Sequence, residues 1–446
     1  MRLHDAGKLP PPPGSQSLAD LPLQGLRGVG LEAAEHEGPV RWLLPRNHFR
    51  SPPVPRHPQL YDWADRVASR FPELSRATAF VLALWSLGLV LAHACGLTAV
   101  VAHLAPVLAR LANTVRQRLR EFYQPAARKR GHNRRELNPA LCCGPLVRWI
   151  TAGWSDRRVA LALDATSLGE RFTVLTAAVV YRGCGIPVAW TVLQGNTPGA
   201  WHPHWVTLLE RVRAALGDGW QVVVLTDRGL ESPELFRVIC GLDMHPLMRV
   251  KAGGKFRPGG WMKFYPLGWF ARRDGDRFAA VGVAYTGARL PCTLLACRTA
   301  GCAEAWHVLT DLPVVAADPC WYAFRSWIEQ GFKVLKSAGW QWQKTRMTDP
   351  DRAGRLWVAV AVATVWLVEV GGLSEFEPRP ETVPRFRTAE SRRVHRVFRV
   401  GLGLIIAGLL RGQVVIGRFS PESWPERRQC PPVTEDEFHH AATYPS

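Results

Sequence analysis

No Cys-x-x-Cys pair occurs anywhere in this 446-residue chain. Its 10 cysteines include a regular series, Cys292-x4-Cys297-x4-Cys302, but that is not the spacing of a zinc ribbon or finger. The pattern excludes the usual cysteine-rich metal folds and reads as reduced core and strand thiols of a cytosolic protein. An apolar targeting segment is also lacking. The first fifty or so residues carry Pro, Gly and mixed charge without the apolar centre of a signal peptide. Long hydrophobic runs are missing as well. Ala77–Ala92 and Leu356–Val368 are strongly apolar, yet each is shorter than the ~20 residues a bilayer demands. Both read as buried core helices, and no membrane partner is expected. Acid is scarce: 37 Asp and Glu face 56 Lys and Arg, a net charge of +19. That balance points to a polyanionic partner, with nucleic acid the leading candidate.

The length accommodates roughly two or three domains. Residues 1–58 read as a poorly ordered leader, with Pro10–Pro13 and Ser51–Pro55 as its markers. Residues 59–150 carry helical spacing and read as a DNA-binding domain. Within it, Thr98–Leu108 and Asn113–Phe122 flank Ala109–Ala112 as a possible helix-turn-helix, and the second helix carries Arg116, Arg118 and Arg120 for DNA. A basic run from Arg128 to Arg135 follows and reads as a phosphate-contacting segment. Residues 151–250 and 314–372 form an expected catalytic core. A β-rich insertion spans 251–313, with β-type runs at Trp261–Tyr265, Phe278–Tyr285 and Thr293–Arg298. Residues 373–446 read as a C-terminal helical and basic segment with a tail, including Leu402–Leu410 and the arginine-rich Arg385–Arg399.

The core carries the fold signal. Strands are expected at Val159–Asp164, Phe172–Tyr181 and Ile186–Leu193, the last two joined by the turn Arg182–Gly185. A helix over Trp205–Leu216 stops at Gly217. Val222–Asp227 reads as a buried parallel strand, Pro233–Cys240 as a helix and His245–Val250 as a further strand. The order β-β-β-α-β-α-β predicts an α/β fold of ribonuclease H-like topology, with first and fourth strands adjacent. Asp164 and Asp227 would then end neighbouring strands at the carboxyl edge of the sheet.

A third acid, Glu329, sits in Tyr322-x2-Arg325-x3-Glu329-x6-Lys336. On one continuous helix over Trp321–Lys336 these four residues fall within about 60° of each other. That face would present an acid among cations and a phenol. Tyr322 and Arg325 are candidates for holding phosphate oxygens, with Lys333 and Lys336 further along the backbone path. Three acids drawn together repel until cations neutralise them. Phosphodiester chemistry with two divalent ions, Mg²⁺ or Mn²⁺, asks for this arrangement of Asp164, Asp227 and Glu329. Arg228 and Lys251 also lie where DNA could be reached.

With these residues the chain resembles the DDE transposases of bacterial insertion sequences, in the IS-four group marked by a Y-R-E-K signature. The likeness runs over roughly residues 60–425. It is carried by Leu163-Asp-Ala-Thr166, Gly195-Asn-Thr-Pro-Gly199 with Trp205, Thr226-Asp-Arg-Gly229 and the full spacing of Tyr322, Arg325, Glu329 and Lys336. One departure is Leu230-Glu-Ser232 after Gly229, where some relatives carry an aromatic. The resemblance implies metal-dependent cleavage at transposon ends and strand transfer into target DNA by the two-metal route. It also implies double-stranded DNA with terminal inverted repeats as partner, a synaptic homodimer, and a cytoplasmic, nucleoid-associated location. In such transposases an aromatic of the insertion can stack on a displaced base, a role open to Trp261 or Trp269, although with 19 Trp in the chain core packing is the expected one. The alternative is a catalytically silent or domesticated DNA-binding protein of the same fold.

Overall fold

The computed structural model describes residues 57–130, 134–195, 201–300, 304–373, 396–421, 424–427 and 434–438. The expected leader up to residue 56, most of Gly195–Gly199 and residues 385–395 of the arginine-rich stretch lie outside the described residues.

Five helices come first: α1 (Pro58–Arg70), α2 (Arg76–Ala92), α3 (Leu97–Val107), α4 (Ala112–Tyr123) and α5 (Cys143–Thr151). Ser75 starts α2 by accepting the Thr78 N–H, a serine N-cap. The pair α3 and α4 falls where helical spacing put it. Arg118 and Arg120 are exposed and Arg116 is half-buried, its guanidinium reaching the Thr98 hydroxyl at 3.3 Å. Arg118 lies over the Phe80 ring at 5.4 Å.

The centre is mixed α/β. Strands β1 (Arg158–Leu168), β2 (Phe172–Tyr181) and β3 (Cys184–Gln194) form an antiparallel meander. The β2–β3 turn is shorter than expected, being Arg182-Gly183 alone. Both residues have positive φ, 46° and 79°, the backbone that matches a twisted two-residue hairpin. Then come α6 (His202–Leu216), β4 (Gln221–Thr226), α7 (Pro233–Gly241) and β5 (His245–Arg249). β4 pairs parallel with both β1 and β5. The first and fourth strands are therefore neighbours, as the order of elements demanded.

Residues 251–313 continue this sheet. β6 (Lys255–Pro258), β7 (Tyr265–Pro266), β8 (Arg277–Ala284), β9 (Leu290–Cys297) and β10 (Trp306–Thr310) join it through an antiparallel β10–β5 pair. One ten-stranded sheet results, in the order β3-β2-β1-β4-β5-β10-β9-β8-β6-β7. The run Trp261–Tyr265 is not a strand. Trp261 and Tyr265 turn inward to an aromatic cluster while Met262 and Lys263 are exposed, and only Tyr265 enters β7.

The chain then returns through α8 (Ser326–Lys333) to α9 (Pro350–Gly372) and α10 (Arg396–Leu410). Asp349 caps α9 at the Arg352 N–H, with Pro350 as its first residue. Every residue of α9 from Ala353 to Gly372 is buried, against α2, α4, α5, α10 and β3. Its length and apolarity are accounted for by this core position. α8 packs on β3 at two glycines. A Cβ on Gly331 would lie 2.4 Å from the Gly185 carbonyl oxygen, and one on Gly185 would lie 2.7 Å from Ile328 Cα. No side chain fits between these backbones, so the helix sits directly on the strand.

Candidate active site

Two aspartates reach one place through strand register. The last β1–β4 pair is Ala162 with Leu225. Carrying that register two residues on sets Asp164 level with Asp227, on the same face by the two-residue period of a strand. The expectation that Asp164 ends its strand is corrected here. β1 runs through Asp164 to Leu168 because its ladder with β2 continues, from Asp164 opposite Thr176 to Leu168 opposite Phe172. What ends beside Asp164 is the neighbouring strand β4, and that leaves one flank of the carboxylate open.

Each aspartate has one oxygen tied to backbone and one presented outward. Asp164 Oδ1 accepts the Ala165 N–H at 2.8 Å. Asp227 Oδ1 accepts the Gly229 N–H at 2.9 Å, a side-chain turn that fixes the carboxylate at the mouth of β4. The other oxygens meet one guanidinium: Arg325 Nη2 lies 3.0 Å from Asp164 Oδ2 and 3.4 Å from Asp227 Oδ2. Arg325 Nη1 lies 3.5 Å from Glu329 Oε1, one helical turn away. The three acids, more than a hundred residues apart from first to last, thus converge around Arg325.

The Arg325 side chain is 6% exposed, against 18% for Asp164, 43% for Asp227 and 60% for Glu329. Its Nε and Nη1 make no hydrogen bond, so the group is held mainly by charge. Burial pushes Asp164 up to about 6. Arg325 and the Ala165 N–H oppose that rise, while Asp227 and Glu329 add to it.

The segment carrying the third acid is not the single α-helix its spacing suggested. Pro319–Arg325 is a 3-10 helix begun by Asp318, which accepts the Cys320 N–H. α8 follows as regular helix, and Val334–Ala338 widens to a π-type turn with Lys336 off helical geometry, φ −89° and ψ −114°. The mixed pitch breaks the wheel on which four residues shared one face. Tyr322 is buried, its ring edge-on to Trp306 at 5.4 Å and beside the Arg249 guanidinium at 6.0 Å. Burial raises its phenol to about 12. Arg325 turns inward to the acids, so neither it nor Tyr322 lies open as a phosphate-facing surface. Lys333 is exposed. Lys336 is half-buried; burial lowers its pKa, and the charge of nearby Asp164 opposes that.

Trp261 is packed rather than displayed. Tyr265, Phe270, Phe278 and Phe438 surround it, with ring centroids 5.0–6.4 Å away. Trp269 is 39% exposed. The residues that sequence reasoning missed are Arg249, Trp306 and the inward turn of Arg325. Only the last left a signal, the i,i+4 spacing of Arg325 and Glu329.

Three carboxylates are hard oxygen donors of the kind Mg²⁺ and Mn²⁺ take. As they stand they gather on a guanidinium. Among the described residues no three His, Cys, Asp or Glu side chains are grouped so as to hold a metal ion. The donor chemistry is of the kind a divalent ion takes, and in this structure the Arg325 guanidinium fills the space between the donors.

Residues 169–366 match the family model of the transposase DDE domain. That span includes Asp227, Tyr322, Arg325, Glu329 and Lys336 and begins just beyond Asp164. No curated protein matches this chain. Among solved structures, a cryo-electron-microscopy structure of the piggyBac transposase synaptic complex with hairpin DNA is similar at 10% identity and a TM-score of 0.30. The match covers 64% of this chain and 56% of that one, so this chain spans little more than half of that protein's length. The domain match over residues 169–366 supports a DDE transposase.

Proposed function

We propose that this chain is a DNA transposase of the IS-four, Y-R-E-K group, built on a ribonuclease H-like core. It cleaves at transposon ends and joins the freed strand to target DNA. The observation that carries this reading is the meeting of Asp164, Asp227 and Glu329 around a single buried cation. Acids from two neighbouring strand positions and a distant helix are gathered in one place, and burial penalises the innermost of them, Asp164; such a cluster is what a cation-dependent reaction needs.

Asp164, Asp227 and Glu329 would hold two Mg²⁺ or Mn²⁺ ions. When bound, these would supply charge neutralisation and an activated oxygen nucleophile. The chain's own contribution is orientation. The Ala165 and Gly229 N–H groups hold one oxygen of each aspartate, so the other is turned to the space now filled by Arg325, where the ions would be held. Tyr322, buried against Trp306 and Arg249, would donate its phenol to a phosphate oxygen only if that packing opened to DNA. Arg325 offsets part of the negative charge of the empty site and, once displaced, would fork onto a phosphate. Lys333 and Lys336 would follow the DNA backbone. Arg116, Arg118 and Arg120 on α4 would contact the terminal inverted repeats. Two copies would act as a homodimer on paired ends, beside the nucleoid.

The test is nicking of a duplex carrying the element's own end, with Mg²⁺ or Mn²⁺. Asp164→Asn, Asp227→Asn and Glu329→Gln should each abolish nicking while the protein stays folded. Metal-dependent cleavage that survives any of these would end the assignment. A second reading, DNA binding without turnover, draws on the same closed contact, since Arg325 occupies the space between the acids. Tight binding to the ends with no metal-dependent nicking would favour it.

A further inference from the structure

Beside the acid cluster lies a second charged feature, outside the DDE and Y-R-E-K residues. A cleft of about 380 Å³ opens between the turn after β4, the end of β5 and the start of β10. Arg228, Arg249, Arg272, Arg298, Glu304 and His307 line it. Burial lowers the His307 pKa, and its ring bonds the Phe270 carbonyl, so it adds no charge. Arg298 is paired with Asp274 at 2.9 Å. Glu304 is the one carboxylate among these lining residues, and Arg228 and Arg249 are the two guanidinium groups that meet it.

The contact Glu304 makes is specific. Its Oε2 lies 2.8 Å from Arg228 Nη1 and 3.1 Å from Arg249 Nη2. Two arginines from different elements converge on one anionic oxygen, a geometry suited to a phosphate oxygen. As a stability device the Arg228 half of the contact is weak, because Glu304 is 56% exposed and Arg228 45% exposed, whereas Arg249 is 19% exposed. Holding two guanidinium groups side by side is unfavourable without an anion between them. The clasp also adjoins the chemistry. Arg228 follows Asp227 in sequence, and the Arg249 guanidinium stands 6.0 Å from the Tyr322 ring centre.

We infer that Arg228 and Arg249 form a phosphodiester site for DNA and that Glu304 is its built-in placeholder, bound where a backbone phosphate later sits. The inference rests on the transposase reading for its ligand. Glu304 lowers the affinity of the empty protein for DNA and is displaced when a strand reaches the acids. It therefore favours correctly seated DNA over loose contact with any polyanion.

Binding of a fluorescein-labelled duplex by full-length protein, followed by anisotropy in EDTA to prevent cleavage, tests this. Glu304→Gln should bind about two- to fivefold more tightly, the range expected for releasing an exposed ion pair. A gain of this kind cannot come from misfolding. The double variant Arg228→Ala/Arg249→Ala should bind roughly tenfold more weakly and lose about 1–2 from the slope of log K against log salt. In that double variant the further change Glu304→Gln should have no effect. Unchanged affinity and slope in both Glu304→Gln and the double variant, with wild type still binding, would overturn the inference and leave the transposase reading standing. No duplex binding by wild type would overturn both. Displacement of duplex from wild type by inorganic phosphate at matched ionic strength, absent in the double variant, would show a small-anion site and overturn the assignment to DNA.

Discussion

Replacing Arg325 by Gln removes the one cation on which three carboxylates close. The contacts are unequal. Glu329 is 60% exposed and 3.5 Å away, so water screens most of its share, and Asp227 at 43% exposure is intermediate. The main loss lies between Arg325 and Asp164, 6% and 18% exposed and 3.0 Å apart. Breaking a buried pair of this kind by removing one partner costs about 3–5 kcal/mol when the remaining charge stays ionised. Asp164 need not stay ionised. Its pKa is already raised to about 6, and Arg325 is the largest influence holding it down. In Arg325→Gln it rises further. The sign follows from linkage: a carboxyl whose folded pKa lies above its unfolded value binds more protons when folded, so stability falls as pH rises through that window. For wild type the window runs from about 4 to about 6. For the variant it extends upward from 6 to its own midpoint, at about 1.4 kcal/mol per pH unit. The variant should therefore be only mildly destabilised at pH 5 and several kcal/mol less stable at pH 8. Urea unfolding of metal-free protein at both pH values measures the difference, and Asp164→Asn in the Arg325→Gln background should remove it. Equal losses at pH 5 and pH 8, or a loss that persists with Asp164→Asn, would refute the idea that Arg325 serves mainly as counter-ion to Asp164.

Gly331→Ala should destabilise the fold by about 1–3 kcal/mol, because its Cβ would lie 2.4 Å from the Gly185 carbonyl oxygen; calorimetry reads the loss, and nicking should fall with it since α8 carries Glu329. Cys320 should be alkylated first among the described cysteines at pH 7.5. Hydrogen bonds from Cys297 and Arg277 bring it down to about 6, whereas burial pushes Cys95 and Cys184 up to about 12. Peptide mass spectrometry after brief iodoacetamide treatment decides it, and preferential labelling of Cys95 or Cys184 would contradict the local electrostatics. Phe438→Ala should cost about 3 kcal/mol locally and red-shift tryptophan emission, since Phe438 covers the Trp261 ring at 5.0 Å; an unchanged spectrum would mean that the contact does not shield Trp261 in solution.

The amino-acid order by itself determined the elements and the neighbourhood of the aspartates. Alternation, apolar runs, Gly stops and Ser or Asp caps are local, so β2 matches its expected bounds at both ends and β4, β5, α3, α4 and α7 differ by one residue or so. Register is nearly local as well: once β1 and β4 are parallel neighbours, Asp164 and Asp227 fall level. The third acid was legible through the spacing of Tyr322, Arg325, Glu329 and Lys336, although a wheel assumes one pitch and the segment has three. Only tertiary structure decided where these side chains point. Arg325 turns inward because two carboxylates from distant strands meet it, and Tyr322 is buried because Trp306 and Arg249 arrive from β10 and β5. The Glu304 clasp joins residues from three parts of the chain, and no periodicity records such a meeting. Charge pairing and burial depend on distances through space, which a linear pattern constrains only where hydrogen-bonded strands or helices carry it across.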